Sequence, residues 1–464
     1  MNDVQRYYFC LTMKNLKRDI IDFGNGSIPL MFTKMLFPTL LGMMFSVLFC
    51  ITDGIFIGHG VGSDGLASVN IVMPMFTLAT AFGMMFGVGS SVIAAIHLSQ
   101  DNVKAARIIT TQAFMATLVI GVLLGVLLYA FTDRILLLLG CGDKLMEMCR
   151  EYYLWFIPCA LFVMLQILGQ FIIRLDGNPR YSMMVEVIPA CLNIFLDWLF
   201  IFPVGWGLKG AALATSVGSF SGVIMVCWYM AFKCETLTLY KLKRTLTSLV
   251  LTLRNIAYMA RVGVSGFIGE FSMSVLTLVG NYMFMRMLGE DGVAAFSVAC
   301  YIAPVVYMIY AAISQSAQPI ISYNYGAGAY GRVRRTFRLA IAAALATGLS
   351  VSAILALLVK PIVSVFLNEN SGAYDICAGG LPLYAAGFVF MAFSQTVIGF
   401  CQSIGKTLIS TLLTLMRGMV LPVCVFLLLP VLLGVDGLWL SVPLAELLVT
   451  LLICLLHRQC LGIH

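Results

Sequence analysis

Charge is what this sequence lacks. Only 11% of its residues are Asp, Glu, Lys or Arg, against 61% hydrophobic, too few to cover the water-facing surface of a 464-residue chain. A soluble fold is excluded, and a bilayer has to act as the solvent. Histidine is equally scarce. The four His residues, His59, His97, His457 and His464, fall at predicted loops or ends, so no His pair is placed to hold a catalytic metal. An Asp-rich metal motif is missing, as is a nucleophile paired with a base, which argues against a membrane-embedded prenyltransferase or protease. The expectation is a protein that is not an enzyme and carries no organic cofactor.

The 14 Cys residues form no C-x-x-C pair and have no His at ligand spacing, so they read as small apolar packing residues. Cys141 and Cys149 flank one predicted outer loop, where a disulfide is the alternative reading. The first 27 residues carry Arg6, Lys14, Lys17 and Arg18 and no apolar core. They read as a cytoplasmic N-terminal tail, assigned to 1–30, and not as a signal peptide. The net charge of +7 is distributed over short loops, as topology determinants are, so nucleic-acid binding is not expected.

What the sequence has is apolar runs of 20 residues or more along its whole length, each enough to cross about 30 Å of hydrocarbon as a helix. They predict an all-α integral membrane protein. The spans fall near 31–57, 66–97, 104–131, 150–174, 180–202 and 209–233, then near 257–288, 293–322, 332–358, 376–402, 406–430 and 436–457. Alternating the loops collects Lys104, Arg107, Arg174, Arg180, the basic cluster from Lys233 to Arg261, and Arg332, Arg334, Arg335 and Arg338 on one side. That side is expected to be cytoplasmic, with both termini.

The chain also repeats itself. VGSDGLAS from Val61 pairs with LGEDGVAA from Leu288 at a shift of 227 residues. The same shift sets SVIAAIHLSQDNVKAAR from Ser91 against QPIISYNYGAGAYGRVR from Gln318, and pairs Pro203 with Pro430 and Gly210 with Gly437. Six helices per copy is an even number, so the copies share one orientation and are related by a pseudo-two-fold along the membrane normal. The expected organisation is an N-lobe over 31–234, a basic, weakly amphipathic cytoplasmic linker over 235–256 lying along the membrane surface, and a C-lobe over 257–464.

A charge at the centre of a membrane helix costs about 2.5–3.5 kcal/mol on insertion scales, so each one needs a partner, water or a proton. Asp53 and Asp197 lie toward the outer ends of the first and fifth helices, at similar depth. Asn193 precedes Asp197 by one helical turn and shares its face, and Thr215 of the sixth helix reaches the same level. Two carboxylates close together in low dielectric favour a shared proton, and sodium can replace that proton on carboxylate, amide and hydroxyl oxygens. An ordinary buried hydrogen-bond network is the competing explanation. Glu270, mid-way along the seventh helix, is either an attraction point for a cationic substrate or a neutral Glu bonded between helices. Glu186 and Glu446 read as structural. Arg417 reads as structural or gating, its stem long enough to reach the cytoplasmic interface.

Gln166 and Gln170 of the fourth helix, Asn281 of the seventh and Gln315 and Gln318 of the eighth extend the polar set, with Gln166 better placed by depth than Gln170 to line a central cavity. The 27 Met residues are packing first and an adaptable lining second. Pro38 interrupts the first helix below Asp53 and is a candidate hinge.

With these residues laid out, the sequence resembles the multidrug and toxic compound extrusion (MATE) family, within it the bacterial multidrug pumps of the staphylococcal, DinF-related type. The resemblance rests on TDGIFIGHGVGSDGLAS from Thr52, IRLDGNPR from Ile173, LNIFLD from Leu192, GLKGAALATSVG from Gly207, QPIISYNYGAG from Gln318, and the run from Gln402 through GVDGLWLS to Ser441. It implies twelve helices in two lobes forming a V, and export of amphipathic, often cationic drugs in exchange for protons or sodium. Asp53, Asn193, Asp197 and Thr215 match the family's N-lobe cation site, Gln170 a further polar position there, and Glu270 the seventh-helix acid of the sodium-driven branch. The tenth helix, YAAGFVFMAFSQTVIGF, has no carboxylate where that branch carries an Asp. HLSQDN from His97 departs from the family's usual Gly-containing loop.

The expectation is therefore a cell-membrane antiporter, most simply a monomer surrounded by lipid, with small amphipathic cations as cargo. The alternative is a lipid-linked oligosaccharide flippase of the same superfamily, which calls for several basic residues in its cavity.

Overall fold

A computed structural model describes residues 21–243, 245–456 and 459–460 of the chain. Most of the N-terminal tail expected over 1–30 lies outside the described residues, as do His457 and His464. Among the described residues the chain is helical, with no strand.

The helices are α1 (Ile28–Gly60), α2 (Ser63–Ser99), α3 (Val103–Ala130), the short α4 (Thr132–Leu138), α5 (Met146–Leu175), α6 (Pro179–Ile201) and α7 (Gly207–Trp228). α8 (Leu246–Gly326) runs for 81 residues but breaks at Gly289, whose backbone has φ 65° and ψ −150°. After it come α9 (Tyr330–Leu357), the short α10 (Val359–Phe366), α11 (Gly372–Ala385) continuing into α12 (Gly387–Ser403), α13 (Thr407–Leu415), a π-helical turn at Met416–Val420, α14 (Leu421–Leu433) and α15 (Val435–Leu455). Eleven described helical runs are long and apolar enough to cross a membrane, one of them the 81-residue α8. Split at Gly289, they make twelve spans.

Local sequence sets the starts of these helices. Asn102 caps α3 by accepting from the Ala105 amide at 3.1 Å, and Asn178 caps α6 by accepting from Tyr181 at 3.1 Å, with Pro179 at the first helical position. Thr245 caps α8 through the Ser248 amide at 3.3 Å. The helix thus begins at Leu246 and not near 257, so the second half of the expected linker is helical. The first half is tied to α3 and to the ends of α5 and α7. Asp176 accepts from the Tyr229 hydroxyl at 2.7 Å and from the amides of Thr236 and Leu237, and the Arg107 Nε donates to the Thr236 carbonyl at 2.8 Å.

The internal repeat is visible in the backbone. Gly62 and Gly289, and Gly207 and Gly434, all have positive φ, and each pair is separated by the sequence shift of 227. So is Asp101 (φ 58°) from Gly328 (φ 70°). Asp tolerates the left-handed region because its short side chain bonds locally, which is how HLSQDN does without the glycine of its counterpart. α4 and α10, which follow the third and ninth spans, also begin 227 residues apart.

The spans form two six-helix bundles, one from α1 to α7 and one from α8 to α15. They meet along α2 and α8. Gly89 lies so close to the Met259 carbonyl, and Gly263 to the Met85 carbonyl, that a Cβ at either position would collide with it. Toward the face where α1 begins, called here face A, the bundles are tied together. Gln318 Nε2 donates to Ser91 Oγ at 3.2 Å, Asn324 Nδ2 to the Phe23 carbonyl at 2.9 Å, and Arg332 Nη2 to the Gly26 carbonyl at 2.7 Å. A Cβ at Gly326 would run into Ser99. Toward the opposite face, B, no hydrogen bond between described residues joins the bundles. The result is a V closed at face A. Cys141 and Cys149, near face B, are both free and buried.

Candidate functional site

Between the bundles lies a cavity of about 490 Å³. Its first-bundle wall includes Gln166, Gln170, Arg174, Glu186, Asn193 and Thr215. The facing wall includes Glu270, Tyr307, Gln315, Gln395, Arg417 and Glu446. Asp53 and Asp197 are absent from it. They lie behind the first wall, in the interior of the bundle.

The reason is helical phase. In α6 the buried residues Pro189, Asn193, Asp197 and Ile201 recur every four positions, forming one stripe turned inward. In α1, Asp53 and Ile57 are on the buried stripe in the same way. α7 is built from small residues where it meets α6, and a Cβ at Gly218 would stand 3.1 Å from both the Asn193 Cβ and the Pro189 carbonyl oxygen. The three helices therefore pack tightly, and Asp53 is 7% and Asp197 0% exposed.

Inside this nest the two carboxyls lie within hydrogen-bonding reach of one another. Asn193 Nδ2 donates to Thr215 Oγ1 at 3.2 Å, and Thr215 Oγ1 donates onward to the Ala211 carbonyl at 3.1 Å. That bond takes one of the two amide hydrogens of Asn193, and its Oδ1 is left without a partner. Four buried oxygens accept no hydrogen bond of ordinary geometry: Asp53 Oδ1, Asn193 Oδ1 and both oxygens of Asp197. A buried acceptor left unpaired costs about 1–3 kcal/mol, and more when it is charged. Four together amount to a receptor for positive charge. An all-oxygen set of this kind suits a proton shared between carboxylates or a hard cation such as sodium. Tyr152 of α5, buried and near enough to feel the charge of both acids, has no signal in the sequence, where a tyrosine inside an apolar span is unremarked.

The remaining sequence candidates divide. Gln166 lines the cavity, its Nε2 bonded to the Val185 carbonyl at 2.8 Å. Gln170 also lines it, contrary to the depth argument, because the cavity extends down to Arg174 one turn below. Gln315 accepts from Arg174 Nη1 at 2.9 Å, a bond that joins the two bundles across the cavity floor. Arg174 stands next to a predicted loop, among the topology charges. It is instead 4% exposed, its guanidinium 4.3 Å from the Phe171 ring. Asn281 is not on the wall. In the part of α8 before Gly289 the lining ends at Leu276, and five further residues carry Asn281 about 7.5 Å toward face B.

Glu186 and Glu446, read as structural, both line the cavity. Arg417 does not extend toward an interface: its Nε holds Glu446 Oε1 at 2.9 Å and its Nη1 holds Gln395. Pro38 is buried within α1, which runs through it as one helix.

A family profile described as MatE matches residues 38–199 and 267–427, one stretch in each bundle and well over half the chain. The chain belongs to the MatE family. Among curated MatE relatives, a multidrug export protein of Staphylococcus haemolyticus is 25% identical over 289 residues, which span 62% of each chain. An FAD transporter of Shewanella oneidensis is 24% identical over 348 residues, covering 72% of this chain and 74% of that one. A solved structure described as the outward-facing conformation of a multidrug resistance MATE family transporter superposes with a TM-score of 0.87 at 22% identity, covering 96% of this chain and 98% of that one. That likeness shows the fold: a multi-pass membrane protein of two six-helix bundles in a V.

Proposed function

We propose that this protein is a secondary antiporter that exports amphipathic, often cationic compounds in exchange for H+ or Na+ bound at Asp53, Asn193, Asp197 and Thr215. The observation that carries the reading is the nest of four buried oxygens without a bond of ordinary geometry, its two acids lying off the cavity wall. Asn193 and Thr215 belong to both sites. Because the two acids are not on the wall, cation and cargo need not touch: neutralising the acids acts on the packing of α1 against α6, and that packing shapes the cavity wall. A ligand moves the balance of two states only by binding them unequally, so the nest couples to transport through a bend of α1, which carries Asp53, against α6 and α7 of the same bundle. Pro38 is the proposed hinge in α1.

Face A, which carries the basic loops, is assigned to the cytoplasm, and the protein to the cell membrane as a monomer in lipid. The V then opens outward. Three acids of the cavity, Glu186, Glu270 and Glu446, stand beside two bases, and each base is already bonded, Arg174 to Gln315 and Arg417 to Glu446. This favours cationic cargo over a lipid-linked pyrophosphate. The multidrug export proteins among its relatives point the same way. The test is efflux of a fluorescent cationic dye from vesicles under an imposed proton or sodium gradient. Dye movement driven by one of the two gradients is expected in the wild type, and none in Asp53→Asn.

A further inference from the structure

The second bundle carries polar chemistry that cation exchange at Asp53 and Asp197 leaves unused. Arg417 sits on the π-helical turn Met416–Val420. Its neighbour Gly418 abuts Ser272 of α8 so closely that a Cβ there would collide with the serine hydroxyl. Glu270 lies two residues before Ser272. One helix contact thus has Arg417 and Glu270 as near neighbours along its two helices, and the Tyr307 ring lies at the same level: its centroid is 5.4 Å from the guanidinium, and its hydroxyl is 3.7 Å from where a Cβ on Gly269, the residue before Glu270, would be.

The guanidinium is fixed but not fully used. Nε is held by Glu446, whose other oxygen accepts from Ser394 Oγ at 2.7 Å, and Nη1 is held by Gln395. Nη2 bonds to no described residue and is not among the atoms sealed in the packing, so it opens on the cavity that Arg417 lines. Glu270 likewise makes no hydrogen bond to a described residue and has no sealed oxygen, and it lines the same cavity. An ion pair serving only to join helices would leave no donor facing a cavity. At the repeat's shift of 227, Arg417 falls on Ala190 and Glu446 on Ser219. Both of those line the cavity too, so the charge pair belongs to one wall only.

We propose that Arg417 is a specificity residue, forming with Glu270 a two-pole subsite that takes the carboxylate of a zwitterionic amphiphile at Nη2 and its amine at Glu270. The subsite rests on the export reading and gives it a cargo class. Arg417 and Glu446 neutralise each other, so Glu270 sets the local sign. A simple cation binds Glu270 alone, a simple anion is repelled by it, and a zwitterion satisfies both poles.

The experiment uses the purified full chain and fluorescence polarisation with a rhodamine-type dye in two forms: the zwitterionic free acid and its cationic methyl ester. The wild type is expected to bind both. In Arg417→Gln/Glu446→Gln, which removes the pair without stranding a charge, affinity for the acid falls about tenfold or more while the ester is held as before. Glu270→Gln weakens both forms. Arg417→Lys keeps the charge on Glu446 and loses the planar donor edge, so it weakens the acid alone, and it carries the test if the double variant melts early. Acid and ester binding that fall together in Arg417→Lys, or an acid affinity that stays put, overturn the subsite and leave the export reading standing. A wild type that binds neither form overturns both.

Discussion

Gln318 donates to Ser91 across the bundle interface, and the two residues are 227 positions apart, the same distance as the sequence repeat. Equivalent positions of the two copies face each other there, so the pseudo-two-fold passes between them. The halves are closed on face A by pairing of like with like: α2 of one copy against the second part of α8 in the other.

This closure can be locked. Ser99 and Gly326 approach closely enough for a Cβ at Gly326 to collide with the Ser99 side chain, and a disulfide needs Cβ atoms only about 3.5–4.5 Å apart. Ser99→Cys/Gly326→Cys is expected to cross-link under mild oxidation and stop efflux, with recovery on reduction. Ser99→Cys alone should transport under both conditions, and Gly326→Ala, which adds the same Cβ without a thiol, sets the baseline that oxidation must not change.

Arg332 and Asn324 hold the segment before α1 through four hydrogen bonds to the Phe23 and Gly26 carbonyls and to each other. A hydrogen bond to a charged donor contributes about 1.5–3 kcal/mol. Arg332→Ala is therefore expected to raise amide exchange over residues 21–27 by at least about tenfold, without changing exchange in α5.

The Arg417–Glu446 pair predicts an asymmetry in stability. Its side chains are 10% and 6% exposed. Glu446→Leu leaves a guanidinium buried without its partner, at a cost of about 3–5 kcal/mol, whereas removing both charges with apolar residues of similar volume is close to neutral. Thermal melts of Glu446→Leu and Glu446→Leu/Arg417→Met in detergent should show the double variant recovering most of the loss.

The backbone contact of α2 with α8 is similarly exposed to test. Gly263→Val places two methyl groups where the Met85 carbonyl stands, and overpacking of this sort costs about 1–3 kcal/mol. A lowered melting temperature is expected, with Gly266→Ala as the contrast, since the Met84 atoms nearest that site stand off at 3.6–3.7 Å.

Much of this was legible in the sequence, for physical reasons that differ residue by residue. Twelve spans followed from the scarcity of charge. The repeat followed from glycines that backbone geometry demands, as at Gly62 and Gly289. Asp53, Asn193 and Asp197 stood out because a buried carboxylate is expensive, and a spacing of four put two of them on one face. What sequence could not supply was direction. Arg174 next to a loop looked like a topology signal, yet it turns inward to Gln315. Arg417 was given a route to water by its long stem, yet Glu446, distant in sequence, holds it in place. Asn281 shares the α8 face but lies beyond the end of the cavity. That the acids sit behind the wall, and not on it, depends on how α1, α6 and α7 pack, which no single segment encodes.

The central claim is that the buried oxygens of Asp53, Asn193 and Asp197 bind the coupling cation. The most direct measurement is dye efflux in proteoliposomes under a proton gradient and, separately, a sodium gradient, for wild type, Asp53→Asn and Asp197→Asn, with dye binding measured alongside. One of the two gradients should drive efflux in the wild type. Both variants should lose that response by about a hundredfold or more, as expected when about 3 kcal/mol of coupling is removed, while dye affinity stays within about threefold, because the acids lie behind the cavity wall. Gradient-driven efflux that persists in both variants would contradict the account.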